Sequence, residues 1–247
     1  MKKDLGLLAV AVALVCACAS PSSPTAATTT ATTTPNPTPS AAPAIYQRFQ
    51  SAVTVTVAGT QVVLRSAGLP DHKSPYWGAG NALYEAPLPG MMLAPNTIAS
   101  QNLTLRVPIV PTAATPSDTP LGPIGMAVNG VAIFNQYAAG RSPLGAEILS
   151  FDRYNGHPQQ TGQYHYHVEP LWLTSNNGAS ALIGVLLDGF PVYGPRDTDG
   201  SAPSGLDSCN GHTHATPDVP LGIYHYHVTA APPYISGCYK GAPGSLG

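Results

Sequence analysis

One sequence frame occurs twice in this chain, and both copies contain the tetrapeptide Tyr-His-Tyr-His. The copies cover residues 152–168 and 207–228. Each reads D-x-x-N-G-H and then G-x-Y-H-Y-H-V, with a longer insert between the two parts in the second copy. Seven of the eight histidines lie between His157 and His227. Because neutral imidazole is the commonest metal ligand, this duplicated cluster indicates a metal site.

Each copy is preceded by two apolar segments that a tight-turn dipeptide joins. Asn-Gly interrupts the apolar run 127–134, and Asp-Gly interrupts the run 185–193. These dipeptides between apolar arms are the strongest short-range hairpin signal. The repeating unit is therefore a hairpin, a loop with Asn-Gly-His and a YHYH strand. Two such units are expected to pack about a pseudo-two-fold axis within a domain over residues 123–241.

The remaining sequence favours short strands over helices. The segments 52–57, 60–65 and 103–107 have the alternation typical of strands. The chain also has 27 prolines and 25 glycines, which interrupt helices. We predict a mainly β, single β-rich domain with few or no long helices. Residues 45–122 form either further strands of that domain or a small preceding subdomain, and residues 242–247 form a tail.

The N-terminus has the features of an export signal. Two lysines precede an apolar run over residues 5–15, which is shorter than the roughly 20 residues that span a bilayer but typical of a signal peptide. The next residues resemble a bacterial lipobox, so we predict a lipoprotein signal peptide over residues 1–18 and lipidation of Cys18. The alternative is an ordinary secretory signal cleaved near Ala17 or Ala19. Both predict export to the cell envelope, the first with a lipid anchor on the extracytoplasmic side.

Composition limits the remaining partners. Residues 19–44 are almost entirely Thr, Pro, Ala and Ser, so they cannot bury a core and are predicted to form a disordered tether. The formal net charge is −2 and no basic cluster is present. This pattern argues against nucleic acid and against electrostatic docking on anionic lipid. The membrane is therefore expected as a partner through the lipid anchor alone, and the sequence identifies no small-molecule ligand or substrate.

Two cysteines remain after the predicted signal is removed and Cys18 is lipidated. They are Cys209 and Cys238, on either side of the second YHYH copy. In an oxidising compartment two cysteines most simply form one disulfide, worth about 3 kcal/mol in the chain-entropy model. The alternative is that both thiolates bind a metal.

The YHYH segments can present two imidazoles from one face. Side chains alternate along a strand, so His165 and His167 share one face, as do His225 and His227. The tyrosines then point to the opposite face and anchor the strand in the core. Two imidazoles separated by one residue can bind one metal ion from one side.

Further ligands lie near both copies. His157 and His212 each follow an Asn-Gly turn, where glycine permits a sharp reversal towards the strand, and His214 is a further candidate ligand. The expected supporting residues, as ligands or as second-sphere acceptors of ring N–H groups, are Asp152, Asp207, Tyr164 and Tyr224. The histidines form either one site in each unit or a shared site at the pseudo-dyad. Such a site suits copper or zinc, whereas the acidic turn 197–201 is expected to be solvated.

Two functional classes are compatible with these patterns. A three-histidine centre with an open position could make the protein a metal-dependent enzyme. Alternatively, the protein is a metal-free ligand-binding or structural module with ladders of histidine and tyrosine. The usual motifs of nucleophilic hydrolases, zinc proteases and nucleotide-binding proteins do not occur in the sequence.

At these residues the chain resembles the YHYH domain family, a group of mainly bacterial exported proteins. The resemblance rests on segments 206–212, 222–227 and 233–238, and on segment 187–194, which is similar to the family pattern D-G-x-x-I/V-Y-G. It covers about residues 123–241. The resemblance supports the pairing of the two cysteines and implies no particular reaction.

Overall fold

A computed structural model describes residues 41–247 of the 247-residue chain. The predicted signal peptide, the predicted lipidation site at Cys18 and most of the predicted tether lie outside the described residues. The described part is mainly β, as predicted, with three sheets and one short α-helix, α1 (Leu171–Asn177). Between residues 41 and 247, no helix has both the length and the apolar character needed to cross a lipid bilayer.

Fourteen short strands build the described part of the chain. In chain order they are β1 (Val53–Ala58), β2 (Gln61–Ser66), β3 (Leu103–Pro108), β4 (Ala113–Asp118), β5 (Pro123–Ala127), β6 (Ala132–Phe134), β7 (Gly156–Pro158), β8 (Tyr164–Tyr166), β9 (Leu182–Leu186), β10 (Pro191–Tyr193), β11 (Gly211–His214), β12 (Ile223–His227), β13 (Cys238–Gly241) and β14 (Ser245–Leu246). Short 3-10 segments cover Ala44–Arg48, Pro75–Trp77, Ala139–Arg141 and Glu147–Ser150.

The first three strands form a four-stranded sheet with the last one, in the order β1-β2-β3-β14. The β1–β2 hairpin and β3 confirm the strands predicted from alternation. Leu64 and Leu105 of this sheet belong to the same hydrophobic core as Ile133 and Val185 of the larger sheet. The N-terminal strands therefore share the core of the YHYH region. The residues predicted as a tail include β14, which pairs with β3.

Two strands that the sequence did not indicate form a third, two-stranded sheet. They are β4 and β13, paired antiparallel. All six residues of β4 are exposed. Because neither face of this strand is buried, its sequence has no alternation of polar and apolar residues. Such a strand is determined by its partner and not by its own burial pattern.

The YHYH region forms an eight-stranded sheet with internal two-fold symmetry. Its order is β11-β12-β10-β9-β5-β6-β8-β7. In the first unit, β5–β8, the predicted hairpin β5–β6 is followed by the hairpin β7–β8, and β6 runs parallel to β8. The second unit, β9–β12, repeats this arrangement with β10 parallel to β12. The structure therefore confirms the duplicated unit.

The two units meet where β5 pairs antiparallel with β9. Met126 lies opposite Val185, and the flanking pairs join Gly125 to Leu186 and Ala127 to Gly184. A Cβ atom on Gly125 would lie 2.5 Å from the Val185 carbonyl oxygen, and one on Gly184 would collide with the Met126 backbone. Glycine at both positions permits this close contact at the axis. The pseudo-two-fold axis therefore passes between the hairpins β5–β6 and β9–β10. The YHYH strands β8 and β12 lie far from it, each next to an edge strand at opposite ends of the sheet.

Candidate metal centres

The strand pairing within each unit brings three histidines onto one face. His157 of β7 lies directly opposite His165 of β8, and His212 of β11 lies opposite His225 of β12. Directly opposed residues project from the same face of an antiparallel pair. The second histidine of each H-x-H sequence completes the group of three, because alternate residues share a face. The sheet therefore groups the histidines by unit and not across the dyad.

The first centre consists of Glu147, His157, His165 and His167. Their ligand atoms all lie within 4.8 Å of one another. The Nε2 atoms of His165 and His167 are 3.0 Å apart, and Nε2 of His157 lies 3.1 Å from Oε1 of Glu147. The carboxylate comes from the 3-10 segment Glu147–Ser150 in the β6–β7 connection.

The second centre consists of Asp197, His212, His214, His225 and His227. Its ligand atoms also lie within 4.8 Å of one another. The Nε2 atoms of His225 and His227 are 3.1 Å apart, and Oδ1 of Asp197 lies 3.1 Å from His214 Nε2 and 3.2 Å from His227 Nε2. Asp197 belongs to the β10–β11 connection, which corresponds to the β6–β7 connection of the first unit.

Every histidine of the first centre is held through its Nδ1 atom. The acceptors are the Gln163 carbonyl for His165 (3.0 Å), the Asn135 carbonyl for His167 (2.5 Å) and the Ser150 hydroxyl for His157 (2.8 Å). A carbonyl oxygen can only accept, and the Ser150 hydroxyl donates its own proton to the Glu147 carbonyl. All three Nδ1 atoms therefore carry the proton when the rings are neutral.

The second centre uses the same arrangement. The acceptors are the carbonyls of Ser204 for His212 (2.9 Å), Ala215 for His214 (2.7 Å), Ile223 for His225 (2.9 Å) and Gly194 for His227 (2.8 Å). Backbone carbonyls that fix the second ring nitrogen are typical partners of metal-binding histidines. The sequence predicted the histidines of both centres but not these acceptors, because most of them are backbone atoms.

Burial favours the neutral form of four of these imidazoles, those of the two YHYH sequences. Loss of solvation lowers the pKa of His165 well below its usual 6.5, and it lowers the pKa of His167 and of His225 to about 4. It also lowers the pKa of His227. With Nδ1 protonated, these four neutral rings direct the lone pairs of their Nε2 atoms into the centres.

Several of the inward Nε2 atoms have no hydrogen-bond donor to accept from, although Nε2 of His214 is hydrogen-bonded to Oδ1 of Asp197 (3.1 Å). The Nε2 atoms of His157 and His212 are buried without any hydrogen bond, and the close Nε2 pairs in each centre bring two acceptors together. A buried polar atom without a partner is costly. Each centre thus leaves several acceptor atoms directed at one small space.

The two supporting aspartates face the tyrosines and not the imidazoles. Asp152 accepts from the Tyr164 hydroxyl (2.7 Å), and Asp207 accepts from the Tyr224 hydroxyl (2.9 Å). Each carboxylate also accepts from the backbone N–H of the glycine in its Asn-Gly-His sequence. These contacts attach the loop to the tyrosine side of the strand. The aspartates therefore position the third histidine through the loop.

The Asn-Gly-His loops turn at asparagine, which differs from the expected role of glycine. Asn155 and Asn210 adopt left-handed backbones with φ of 63° and 72°. Gly156 and Gly211 lie against the rings of Tyr164 and Tyr224, where a Cβ atom would collide with each ring. Asparagine tolerates the left-handed region better than most residues, and glycine here permits close packing.

The eighth histidine, His72, is buried behind the first unit. Its Nδ1 donates to the Lys73 carbonyl, and its Nε2 accepts from the Tyr166 hydroxyl, both at 3.0 Å. Its ring also packs near Tyr164 and Trp172. His72 therefore belongs to the support of the YHYH strand, on the face opposite the first centre.

Sequence reasoning missed the carboxylate of each centre. Glu147 was not singled out, and Asp197 was expected to lie in a solvated turn. One signal was available: besides the aspartate of D-x-x-N-G-H, each unit has at least one acidic residue between its hairpin and its Asn-Gly-His sequence. The positions differ between the units, so the repeat frame did not mark them.

Open space differs between the two centres. A cavity of about 290 Å³ adjoins the first centre, whereas the space beside the second is only about 10 Å³. A further cavity of about 540 Å³ lies near Arg48 and Asp218, and no histidine lines it. The predicted disulfide is present between Cys209 and Cys238. It connects β13 to the loop that leads into β11.

Comparison with known proteins identifies one family. The model of the family described as "YHYH protein" matches residues 104–204 and 197–241, which together are more than half of the chain. No curated protein and no solved structure is significantly similar to the chain. The match covers both histidine centres and confirms the resemblance seen in the sequence. The chain therefore belongs to the YHYH protein family.

Proposed function

We propose that this domain binds two transition-metal ions, one in each unit. The observation that carries the proposal is the convergence of the inward Nε2 atoms. In both centres the Nδ1 hydrogen bonds orient the rings so that three or four Nε2 atoms and one carboxylate oxygen face one small space.

A cation satisfies this arrangement better than a proton. One proton can bridge only a single pair of ligand atoms, whereas a divalent ion contacts all of them. Two donors of a tetrahedral ion with metal–nitrogen bonds of about 2.1 Å lie about 3.4 Å apart. The ligand atoms lie within 4.8 Å of one another before any adjustment, so small side-chain movements would bring them to bonding distance.

Imidazole-rich sites with one carboxylate favour zinc or copper over magnesium and calcium. We therefore propose zinc or copper as the bound metal. The residues that would hold it are those of the first and second centres. When bound, such an ion would supply Lewis acidity. The chain orients the imidazoles through their Nδ1 hydrogen bonds and keeps four of them neutral by burial.

Elemental analysis of the full-length protein, purified without a histidine tag, tests the proposal. We expect about two transition-metal ions per chain, from one ion in each centre. The variant His165→Ala/His167→Ala should retain one ion, as should His225→Ala/His227→Ala. Circular dichroism would show that each variant is folded. A folded wild-type protein that binds neither zinc nor copper after reconstitution would refute metal binding and favour the structural alternative.

We also propose that the protein is exported and attached to the cell envelope by lipid on Cys18. The Cys209–Cys238 disulfide supports export, because disulfides persist mainly in oxidising compartments. Metabolic labelling with a fatty-acid analogue tests the anchor. Labelling of the wild-type chain but not of Cys18→Ala is expected. Unlabelled wild-type protein recovered in soluble form would indicate the ordinary secretory signal instead.

A further inference from the structure

We infer that the two centres have different roles: the first accepts an external molecule, whereas the second holds its ion with protein ligands alone. This inference rests on the proposed metal binding. The molecule that fits the first centre is small, uncharged and largely apolar, and it carries one donor atom.

One difference between the units is a fourth histidine. His214 follows His212 by two residues and contributes Nε2 to the second centre. The equivalent residue in the first unit is Gln159, which follows His157 by two residues. Its side-chain amide donates to Oε1 of Gln163 (2.9 Å) and lines the cavity at the first centre. The first centre thus has one protein ligand fewer, and open space adjoins it.

The second difference is the length of one loop. Residues 159–163 join β7 to β8, whereas the longer loop 215–222 joins β11 to β12. In the second unit, this loop supplies Thr216 and Asp218, which accept from the Tyr193 hydroxyl at 2.9 Å and 3.1 Å. The loop and Tyr193 therefore fill the space beside the second centre.

The corresponding part of the first unit is open. Phe134 ends β6 as Tyr193 ends β10, and its ring stacks on His165 with 3.9 Å between ring centroids. Phe134 has no hydroxyl for a covering loop to bind, and the short loop 159–163 leaves the cavity of about 290 Å³. This volume is just below the range of about 300–1,000 Å³ for drug-sized ligands, so the cavity suits a small molecule.

The walls of this cavity determine the class of molecule. They are formed largely by Leu121, Phe134 and Tyr137, with the small residues 138–140. Glu147, a residue of the centre itself, is the one charged side chain that lines the cavity. Arg141 lies over the Tyr137 ring, 4.9 Å from its centroid, and donates to the Thr119 carbonyl. Apart from the ion of the first centre, an anion would therefore meet no cationic group in this cavity, whereas an uncharged molecule loses little solvation.

The test uses the full-length protein loaded with Co²⁺, whose visible spectrum changes when a ligand is added. Elemental analysis comes first, because protein without cobalt would refute metal binding and not the difference between the centres. With two ions bound, pyridine should change the spectrum of one ion and saturate at one pyridine per chain. Gln159→His should abolish this change by supplying a fourth imidazole, whereas His214→Gln should leave the response of the first centre intact.

A second variant keeps the test decisive if Gln159→His fails to fold. His225→Ala/His227→Ala removes the second centre and should retain the full pyridine response. Loss of the response in this folded variant, or an unchanged response in folded Gln159→His, would overturn the assignment. So would two bound ions in the wild-type protein with no response to pyridine.

Acetate serves as the anionic comparison for the class of molecule. At a pH where pyridine is uncharged, acetate should produce the same spectral change only at higher concentration. Tighter binding of acetate than of pyridine would refute an uncharged ligand while leaving the difference between the centres in place.

Discussion

At the scale of single residues, each centre depends on the separate use of the two ring nitrogens. Nδ1 fixes the ring by donating a hydrogen bond, and Nε2 remains available to the centre. The duplication predicted which histidines belong together, because His157 and His165 have direct counterparts in His212 and His225. It could not predict Glu147, because that residue has no counterpart at the same position of the frame.

Gly156→Ala tests the close packing behind the first centre. The added methyl group would collide with the Tyr164 ring, and overpacking of this kind costs about 1–3 kcal/mol. We expect the free energy of unfolding, measured with urea, to fall by that amount. Gly145→Ala is the matched control, because its nearest contact would be at 3.9 Å. Equal stability of the two variants would contradict this explanation of the glycine in the Asn-Gly-His sequence.

His72 gives a prediction for pH dependence. Burial lowers its pKa below 6.5, although the Lys73 carbonyl and the carboxylates of Asp152, Asp71 and Glu85 act in the opposite direction. As the pH falls below 6.5, the unfolded chain therefore binds more protons at His72 than the folded chain does. The free energy of unfolding must therefore fall as the pH falls through this window, by at most about 1.4 kcal/mol per pH unit from one group.

Comparison with His72→Asn isolates this contribution. Both proteins would be measured in the presence of a chelator. The metal-free histidines of the two centres then make the same contribution to the pH dependence of stability in both proteins. The stability of the wild-type protein relative to the variant should decrease as the pH falls below 6.5 and stay constant above it. Parallel pH profiles would show that His72 does not titrate differently in the folded and unfolded states.

At the scale of elements, the hairpins were predictable and their partners were not. Asn-Gly and Asp-Gly between apolar arms define β5–β6 and β9–β10 locally. By contrast, β4 and β13 pair over a long sequence separation, and neither has a local signal. The dyad contact of β5 with β9 is also non-local, so the sequence left open whether the centres were shared or separate.

The disulfide should stabilise the second unit more than the first. It attaches β13 to the loop before β11. In β13, the Lys240 side chain donates to Asp207 (2.8 Å) and the Lys240 backbone N–H donates to Asp188 (3.0 Å). Cys209→Ala/Cys238→Ala should lower the free energy of unfolding by about 2–4 kcal/mol. The affinity of the second centre for zinc should fall, while that of the first should not. Equal loss of affinity at both centres would show that the effect is global.

At the scale of the whole molecule, one continuous core supports both centres. Side chains from the four-stranded sheet and from both units belong to it, so loss of either centre's ligands leaves most of the core intact. The composition predicted a single β-rich domain correctly. It could not show that the N-terminal strands share this core, because their alternation indicates one buried face but not what covers it.

Bound metal should therefore stabilise the whole domain from two separate places. Each ion at 100 times its dissociation constant adds about 2.7 kcal/mol to the free energy of unfolding. The two centres share no ligand, so their contributions should add to within about 0.5 kcal/mol. Thermal unfolding of the wild-type protein and of the two double-alanine variants, each with zinc and with chelator, measures the stabilisation that each ion provides. A zinc-induced shift equal in all three proteins would contradict binding at these centres.

The β5–β9 pairing also determines what a single unit could do by itself. The symmetric register around Met126 and Val185 is that of an isologous interface, the kind that two identical subunits form about a two-fold axis. A chain with only one unit would expose β5 as an unpaired edge strand, which favours association with another copy. Covalent linkage of the units encloses that interface within one polypeptide. In a true homodimer the two metal centres must have identical sequences. In this chain they need not, because each unit has its own sequence.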